Sequence, residues 1–227
     1  TKTMRLLGAV FRYQRALHKR GTQVLIDNPV EVLSDLKKWK QAAARTNKIE
    51  PDQLEAWFKA LDDYVLTADK ASIDYAQTVS DYLALLVLTG RRRREVTHLK
   101  ISDVNLQQGV VEFYNAKASR PIPLPITEYM AVILKRRIEH SRVMNSDFVF
   151  YGAGDSGHLN DPRAAVKWIK EQSGVEFSPH ALRRTFATIG ESQVTYSQLK
   201  ALLSHATKSG DVTADHYVSL STKQLKE

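Results

Sequence analysis

The chain has 227 residues, 43% of them hydrophobic and 26% charged, which is ordinary for a globular protein of one or two domains. It contains no cysteine, which excludes disulfides, thiolate metal sites and cysteine nucleophiles. Its 33 Lys and Arg residues outnumber its 25 Asp and Glu residues, and a formal charge of +8 favours polyanions such as nucleic acid as partners.

Targeting signals are not evident in the sequence. No apolar run approaches the roughly eighteen residues of a membrane span, and the first residues lack the small-residue cleavage site of a secretory signal. We therefore expect a cytoplasmic protein with no membrane partner. Because residue 1 is Thr rather than Met, we also expect a fragment or a processed chain.

The first part of the chain predicts two helices and a linker. Apolar residues at three- and four-residue steps predict a helix over residues 2–19. Asp27-Asn28-Pro29 predicts the start of a second helix that continues to about Trp39. The polar and basic stretch 40–48 predicts a linker, with a domain boundary at residue 46, so residues 1–46 are too short to form a complete domain.

Residues 47–227 predict an α+β domain that is mainly α-helical, with one small antiparallel sheet. Alternating β-branched residues in 110–114 predict a strand, and 121–124 is its expected partner at the sheet edge, because it contains prolines. The polar hairpin tip between them carries Lys117. Helices are expected from Pro51 and over 72–88, 95–99, 127–141, 161–172, 179–191, 196–204 and 211–217.

Four consecutive arginines, Arg91 to Arg94, follow Gly90 at the end of the most apolar predicted helix. Charge runs of this kind usually lie on a solvated surface. A glycine at this place, however, lets the backbone turn sharply and deliver one guanidinium beside the core, where Glu95 supplies a counter-ion. A guanidinium fork held in one rotamer is suited to bidentate phosphate recognition.

A second group of polar residues lies near the carboxyl end. His180 and Arg183 are three residues apart and share one face of a predicted helix. A lone histidine on such a helix is more often structural than functional. Here, however, a second histidine, His205, and then Tyr217 follow in a polar segment.

Tyr217 is the candidate nucleophile, because a tyrosine can form a covalent intermediate. The usual tyrosine pKa is about 10, so at neutral pH the phenol needs nearby cations or a base. Spacing alone leaves burial and catalysis equally open for Tyr217. Tyr196 is the rival candidate but precedes His205, whereas four other tyrosines fall in helical patterns and are expected to pack: Tyr13, Tyr64, Tyr75 and Tyr82.

These motifs resemble those of the tyrosine recombinases of the phage-integrase type. The matching positions occur in the family's order across residues 47–227. They are Thr89-Gly90-x-Arg92-x-x-Glu95, the hairpin Lys117, His180-x-x-Arg183, Leu203-x-His205 and Tyr217. Residues 1–46, with Asn28-Pro29-Val30, resemble the end of the family's core-binding domain. Ser204 and Ala181 stand where the family usually has Gly and Asp, and the interval from His205 to Tyr217 is long.

The resemblance implies that two arginines bind the scissile phosphate. Arg92 and Arg183 would contact its non-bridging oxygens and stabilise the charge of the pentavalent transition state, with Glu95 in support. Lys117 would protonate the departing 5′ oxygen as general acid.

The resemblance also implies a role for each residue near the carboxyl end. Tyr217 would attack phosphorus and form a 3′-phosphotyrosine bond, His180 would assist proton transfer at Tyr217, and His205 would hydrogen-bond the phosphate. The retained bond energy would allow strand exchange without ATP, so neither a metal nor another cofactor is expected.

The implied function is a site-specific recombinase that integrates or excises a mobile element or prophage, in a bacterial cytoplasm or a phage-infected host. The implied partners are double-stranded DNA attachment sites, three further copies in a synaptic homotetramer, and accessory DNA-bending proteins. Two other functions remain open, relaxation of DNA by a type IB topoisomerase and a non-catalytic helical DNA-binding regulator. A regulator would give no reason for Lys117 or Tyr217.

Overall fold

The computed structural model describes residues 2–18, 27–39, 47–114 and 122–203. The chain divides into two compact units, Thr1–Thr46 and Asn47–Glu227. In the described ranges, no helix is both long enough and apolar enough to cross a bilayer. The first unit contains helices α1, Lys2–His18, and α2, Glu31–Asp35.

Helix α2 is shorter than the sequence predicts. The expected continuation to about Trp39 is wrong, because Lys37 adopts a left-handed φ of 52° just beyond the helix. The Lys38 N–H donates to the Leu33 carbonyl at 2.9 Å, and the Lys37 N–H donates to the Ser34 carbonyl at 3.0 Å. These two bonds form a Schellman motif, which satisfies the last carbonyls and ends the helix.

Helices form most of the second unit, and the predicted helical ranges within the described residues are confirmed apart from small shifts at their ends. The predicted helix over 211–217 lies outside the described residues. The helices are α3 Leu54–Leu66, α4 Ile73–Thr89, α5 Arg93–Thr97, α6 Glu128–Val143, α7 Arg163–Ser173, α8 Pro179–Glu191 and α9 Tyr196–Leu202. Short 3₁₀ turns span Pro51–Gln53 and Ile101–Asp103.

The sheet has three antiparallel strands in the order β1, β2, β3. They span Val104–Asn105, Val110–Phe113 and Ile122–Pro125. The predicted pairing of β2 with β3 is confirmed, and β3 lies at an edge, as its prolines require. The sequence pattern missed β1, which has only two residues. Val111 and Phe113 of β2 are buried in the core.

Helix α4 lies at the centre of the second unit and packs against α3, α5, α6 and α8. Its residues Leu83, Leu85 and Leu86 are fully buried. The helix ends at Gly90, which has a left-handed φ of 60°. A Cβ at Gly90 would lie 2.4 Å from the ring carbon Cδ1 of Phe186 in α8, so the close approach of α8 also requires glycine here.

The start of the second unit is bound to α8. Arg184 Nη1 donates to the backbone and side-chain oxygens of Asn47 at 3.1 and 2.9 Å. The buried Thr185 hydroxyl accepts the backbone N–H of Ile49 at 2.8 Å. These contacts bind residues 47–49 to α8, the helix that carries His180 and Arg183.

Candidate active site

The turn between α4 and α5 brings arginines of the run together with Arg183 of α8. Arg91, Arg92 and Arg183 act on one another electrostatically, and Glu95 acts on both Arg91 and Arg183. Two parts of the chain that are about ninety residues apart therefore share one cationic site, with Arg183 Nη1 donating to the Gly90 carbonyl at 2.7 Å.

Arg92 lies at the N-cap position of α5 and is held by Glu95. Its Nη1 donates to Glu95 Oε1 at 2.8 Å, and its backbone N–H donates to Glu95 Oε2 at 3.0 Å. The Glu95 side chain is only 6% exposed, whereas the Arg92 side chain is 41% exposed. The predicted counter-ion is thus confirmed, and it fixes a guanidinium that solvent can still reach.

Arg183 lies in the second turn of α8 and is buried. One terminal nitrogen donates to the Gly90 carbonyl and the other donates to the Leu203 carbonyl. These bonds occupy two of the five N–H donors of a guanidinium. Burial lowers the pKa of Arg183, nearby Arg92 lowers it further, and Glu95 raises it.

Arg91 is the arginine that the turn at Gly90 delivers into the core. Its side chain is fully buried, its guanidinium carbon lies 5.4 Å from the centroid of the Phe113 ring, and its Nη2 donates to the Leu202 carbonyl. Burial lowers the pKa of Arg91 to about 10, with Arg183 and Arg92 also lowering it and Glu95 raising it. The sequence pointed to one buried guanidinium after Gly90 but assigned the functional position to Arg92.

His180 lies in the first turn of α8 and is exposed, one turn before Arg183. The structure therefore places two of the predicted phosphate ligands, Arg92 and Arg183, in one site, with Glu95 beside them and His180 at the solvent-facing start of the same helix. Lys117, His205 and Tyr217 lie outside the described residues.

The other tyrosines fall into two groups. Tyr82 is buried with its ring centroid 5.8 Å from that of Phe150, and the ring centroids of Tyr64 and Trp168 are 5.2 Å apart. The expected packing is therefore confirmed for both tyrosines. The expectation is wrong for Tyr13 and Tyr75, which are 68% and 48% exposed. The rival nucleophile Tyr196 is 77% exposed at the start of α9. Within the described ranges, no group of three or more His, Cys, Asp or Glu residues is placed to hold a metal ion.

The α+β fold, mainly helical with a small antiparallel sheet, is that of the tyrosine-recombinase catalytic domains. Residues 47–224 match the phage integrase family, and the chain belongs to this family of tyrosine recombinases. The predicted fold class and family are confirmed.

Named relatives agree with this assignment. The chain is 31% identical over 159 residues to tyrosine recombinase XerA of Pyrococcus furiosus, an alignment that covers 66% of this chain and 53% of XerA. It is 30% identical over 171 residues to XerA of Pyrococcus horikoshii, covering 71% of this chain and 59% of the relative. The chain thus spans little more than half the length of these relatives.

Solved structures share the fold at lower identity. The Tn1549 transposon integrase, in complex with a circular intermediate DNA, superposes with a TM-score of 0.66 at 18% identity. The superposition covers 90% of this chain and 70% of the integrase.

Proposed function

We propose that this chain is the catalytic part of a site-specific DNA recombinase, an integrase that cleaves and rejoins DNA strands through a covalent 3′-phosphotyrosine intermediate. The observation that carries the proposal is the meeting of Arg92 and Arg183 in one site, each held in place by a hydrogen-bond acceptor. Two fixed guanidinium groups suit the non-bridging oxygens of one phosphate.

In the proposed cleavage step, the Tyr217 oxygen attacks phosphorus and the bond from phosphorus to the 5′ oxygen breaks. His180 assists removal of the phenol proton, and Lys117 donates a proton to the leaving 5′ oxygen. Arg92 and Arg183 stabilise the negative charge that develops on the non-bridging oxygens.

His205 adds a hydrogen bond to one of those oxygens. Rejoining reverses the cleavage step, with a 5′-hydroxyl as the nucleophile and Tyr217 as the leaving group. The number of phosphoester bonds is unchanged, so the exchange requires no ATP.

The proposal assigns residues 47–227 to the catalytic domain and residues 1–46 to the last helices of a core-binding domain with its linker. The partners would be double-stranded DNA attachment sites, other copies of the protein in a synaptic homotetramer, and accessory bending proteins. In support, the Tn1549 transposon integrase, which shares the fold, was solved in complex with a circular intermediate DNA. Integration or excision of a mobile element, in the cytoplasm, would be the biological outcome.

The test incubates the protein with nicked suicide duplexes, whose sequences are those of the ends of the mobile element that encodes it. The wild type should form a covalent adduct that survives denaturation, whereas Y217F should bind the same duplex and form none. Y196F is the matched control, because it removes the same hydroxyl from the exposed rival, and it should form adduct at the wild-type rate.

Other outcomes would select a different function. Adduct formation by Y217F, or its loss in Y196F, would overturn the assignment of the nucleophile. Specific binding without any adduct would favour a DNA-binding regulator. Relaxation of supercoiled DNA without joining of two sites would favour a type IB topoisomerase activity.

A further inference from the structure

Arg91 is buried completely, although arginine is almost never fully buried unless it is paired. It lies with two other guanidinium groups, those of Arg92 and Arg183, and with one carboxylate, Glu95. Replacing a buried charge by an apolar side chain of similar volume is often neutral or stabilising. Stability alone therefore gives little reason for an arginine here.

Two contacts of Arg91 join separate parts of the second unit. Its guanidinium lies over the face of Phe113, the last residue of β2, in a cation–π arrangement with 5.4 Å from the guanidinium carbon to the ring centroid. Its Nη2 donates to the carbonyl of Leu202, the last residue of α9.

A cation that donates to the last carbonyls of a helix stabilises that helix end. The neighbouring Leu203 carbonyl accepts from Arg183. The end of α9 is thus held by two guanidinium groups.

The two segments held by Arg91 are those that lead to proposed catalytic residues. The chain continues from Phe113 to Lys117 in four residues and from Leu202 to His205 in three. Arg91 itself follows directly on Gly90, whose carbonyl binds Arg183. One buried side chain therefore contacts the bases of both segments and adjoins the phosphate-binding arginines.

We propose that Arg91 is a positioning residue, which fixes the ends of β2 and α9 so that Lys117 and His205 meet the phosphate held by Arg92 and Arg183. This role rests on the proposed function, and it is distinct from contact with the phosphate. Its loss should affect the rate of the chemical step more than the affinity for DNA, because a displacement of about 1 Å can cost roughly 10²-fold in rate.

The test compares R91M with R94M. Methionine is unbranched and of similar length, so R91M removes the contacts with Phe113 and Leu202 while filling the space. R94M makes the same charge change at an exposed position of α5 and controls for the loss of one positive charge from a DNA-binding protein.

The first measurement is hydrogen–deuterium exchange of the protein without DNA. In R91M, amides of residues 196–203 should exchange about fivefold faster or more, as expected when a helix end loses one hydrogen bond. Exchange of α3 should not change, and R94M should match the wild type in both helices. Unchanged exchange of 196–203 in folded R91M would overturn the proposal whether or not the protein cleaves DNA.

The second measurement is single-turnover adduct formation on a suicide duplex that the wild type cleaves, together with the dissociation constant for the same duplex. R91M should react roughly 10- to 100-fold more slowly while binding like R94M. Equal adduct rates for the two variants would also overturn the proposal. Absence of adduct in the wild type would instead refute the proposed function and leave the exchange result to decide on Arg91.

If R91M does not fold, R91K takes its place in both measurements. Lysine keeps the charge but replaces the planar fork by a single ammonium group. R91K should lie between R91M and the wild type, with faster exchange of 196–203 and slower adduct formation than R94M. Wild-type behaviour in both measurements would refute a positioning role.

Discussion

Substitution of Gly90 by alanine tests how closely α8 approaches the turn that carries the arginines. Two penalties are expected. The first is conformational, because Gly90 has a φ of 60°, which alanine adopts only at a cost. The second is steric, because the Cβ of an alanine at position 90 would lie 2.4 and 2.7 Å from two ring carbons of Phe186. Because the Gly90 carbonyl also accepts from Arg183, a shift here should disturb the proposed phosphate site as well.

Gly174 provides the matched control. It ends α7 with a φ of 67°, and no atom lies within 4 Å of the position of an added Cβ. The left-handed conformation costs about 1–2 kcal/mol for a residue with a Cβ, so G174A should be destabilised by this amount. Overpacking adds about 1–3 kcal/mol, so G90A should lose about 2–5 kcal/mol in total.

The free energy of unfolding can be measured by urea denaturation, followed by tryptophan fluorescence, to which the fully buried Trp57 contributes. The variant F186A and the double variant with G90A complete a double-mutant cycle. The overpacking cost of G90A should disappear when the ring is absent, which gives a favourable coupling between the two substitutions. Equal destabilisation by G90A and G174A, or additivity in the cycle, would refute the close approach of α8.

Three further predictions concern the site, the core and the dependence of stability on pH. R183K keeps the charge but loses the planar fork, so it should slow single-turnover adduct formation by roughly 10²-fold or more. R94K makes the same exchange at an exposed position of α5 and should react at nearly the wild-type rate, and similar rates for the two variants would contradict phosphate binding by Arg183. D81A removes the buried carboxylate that pairs with Arg136 and Arg137 of α6, and it should lower the free energy of unfolding in urea by about 3–5 kcal/mol. D63A removes an exposed pair with Lys59 and should lower it by at most about 1 kcal/mol. Burial and a neighbouring histidine lower the pKa of His98 in the folded state, so the unfolded state binds more protons. The free energy of unfolding should therefore fall as the pH drops through about 6.5, the usual histidine pKa. A fall of the same size in H98Q would contradict this contribution of His98.

Elements whose ends carry local signals were predictable from the sequence. Helix α8 starts at Pro179, as predicted, because Ser178 is its N-cap and accepts the Ala181 N–H, and proline suits the first helical turn. Helix α4 ends at Gly90 because only glycine adopts the left-handed conformation readily. The pairing of Glu95 with an arginine was also predictable, since Arg92 lies three residues before it.

Other features depend on tertiary contacts that no local pattern contains. Arg183 donates to the carbonyls of Gly90 and Leu203, and Arg91 donates to the carbonyl of Leu202. Every residue type has such a backbone carbonyl, so the sequence does not mark these acceptors. Their use depends on how α8 and α9 pack beside the turn after α4. The end of α2 was missed for a related reason, because Lys37 adopts a conformation that its residue type does not favour.

The two proposed phosphate ligands are held in different ways, and this difference determines where the attraction for a phosphate arises. Arg92 is paired with a carboxylate, so the Arg92–Glu95 pair carries little net charge. Arg183 donates to two neutral carbonyls, which fix its rotamer without neutralising its positive charge, and Glu95 acts on it only from outside these bonds. The rotamer entropy of a mobile arginine side chain is worth about 2 kcal/mol. An arginine that is already fixed before DNA binds loses less of this entropy on binding. The attraction for the scissile phosphate should therefore come mainly from Arg183, with Arg91 adding charge from the core and Arg92 contributing chiefly directional hydrogen bonds.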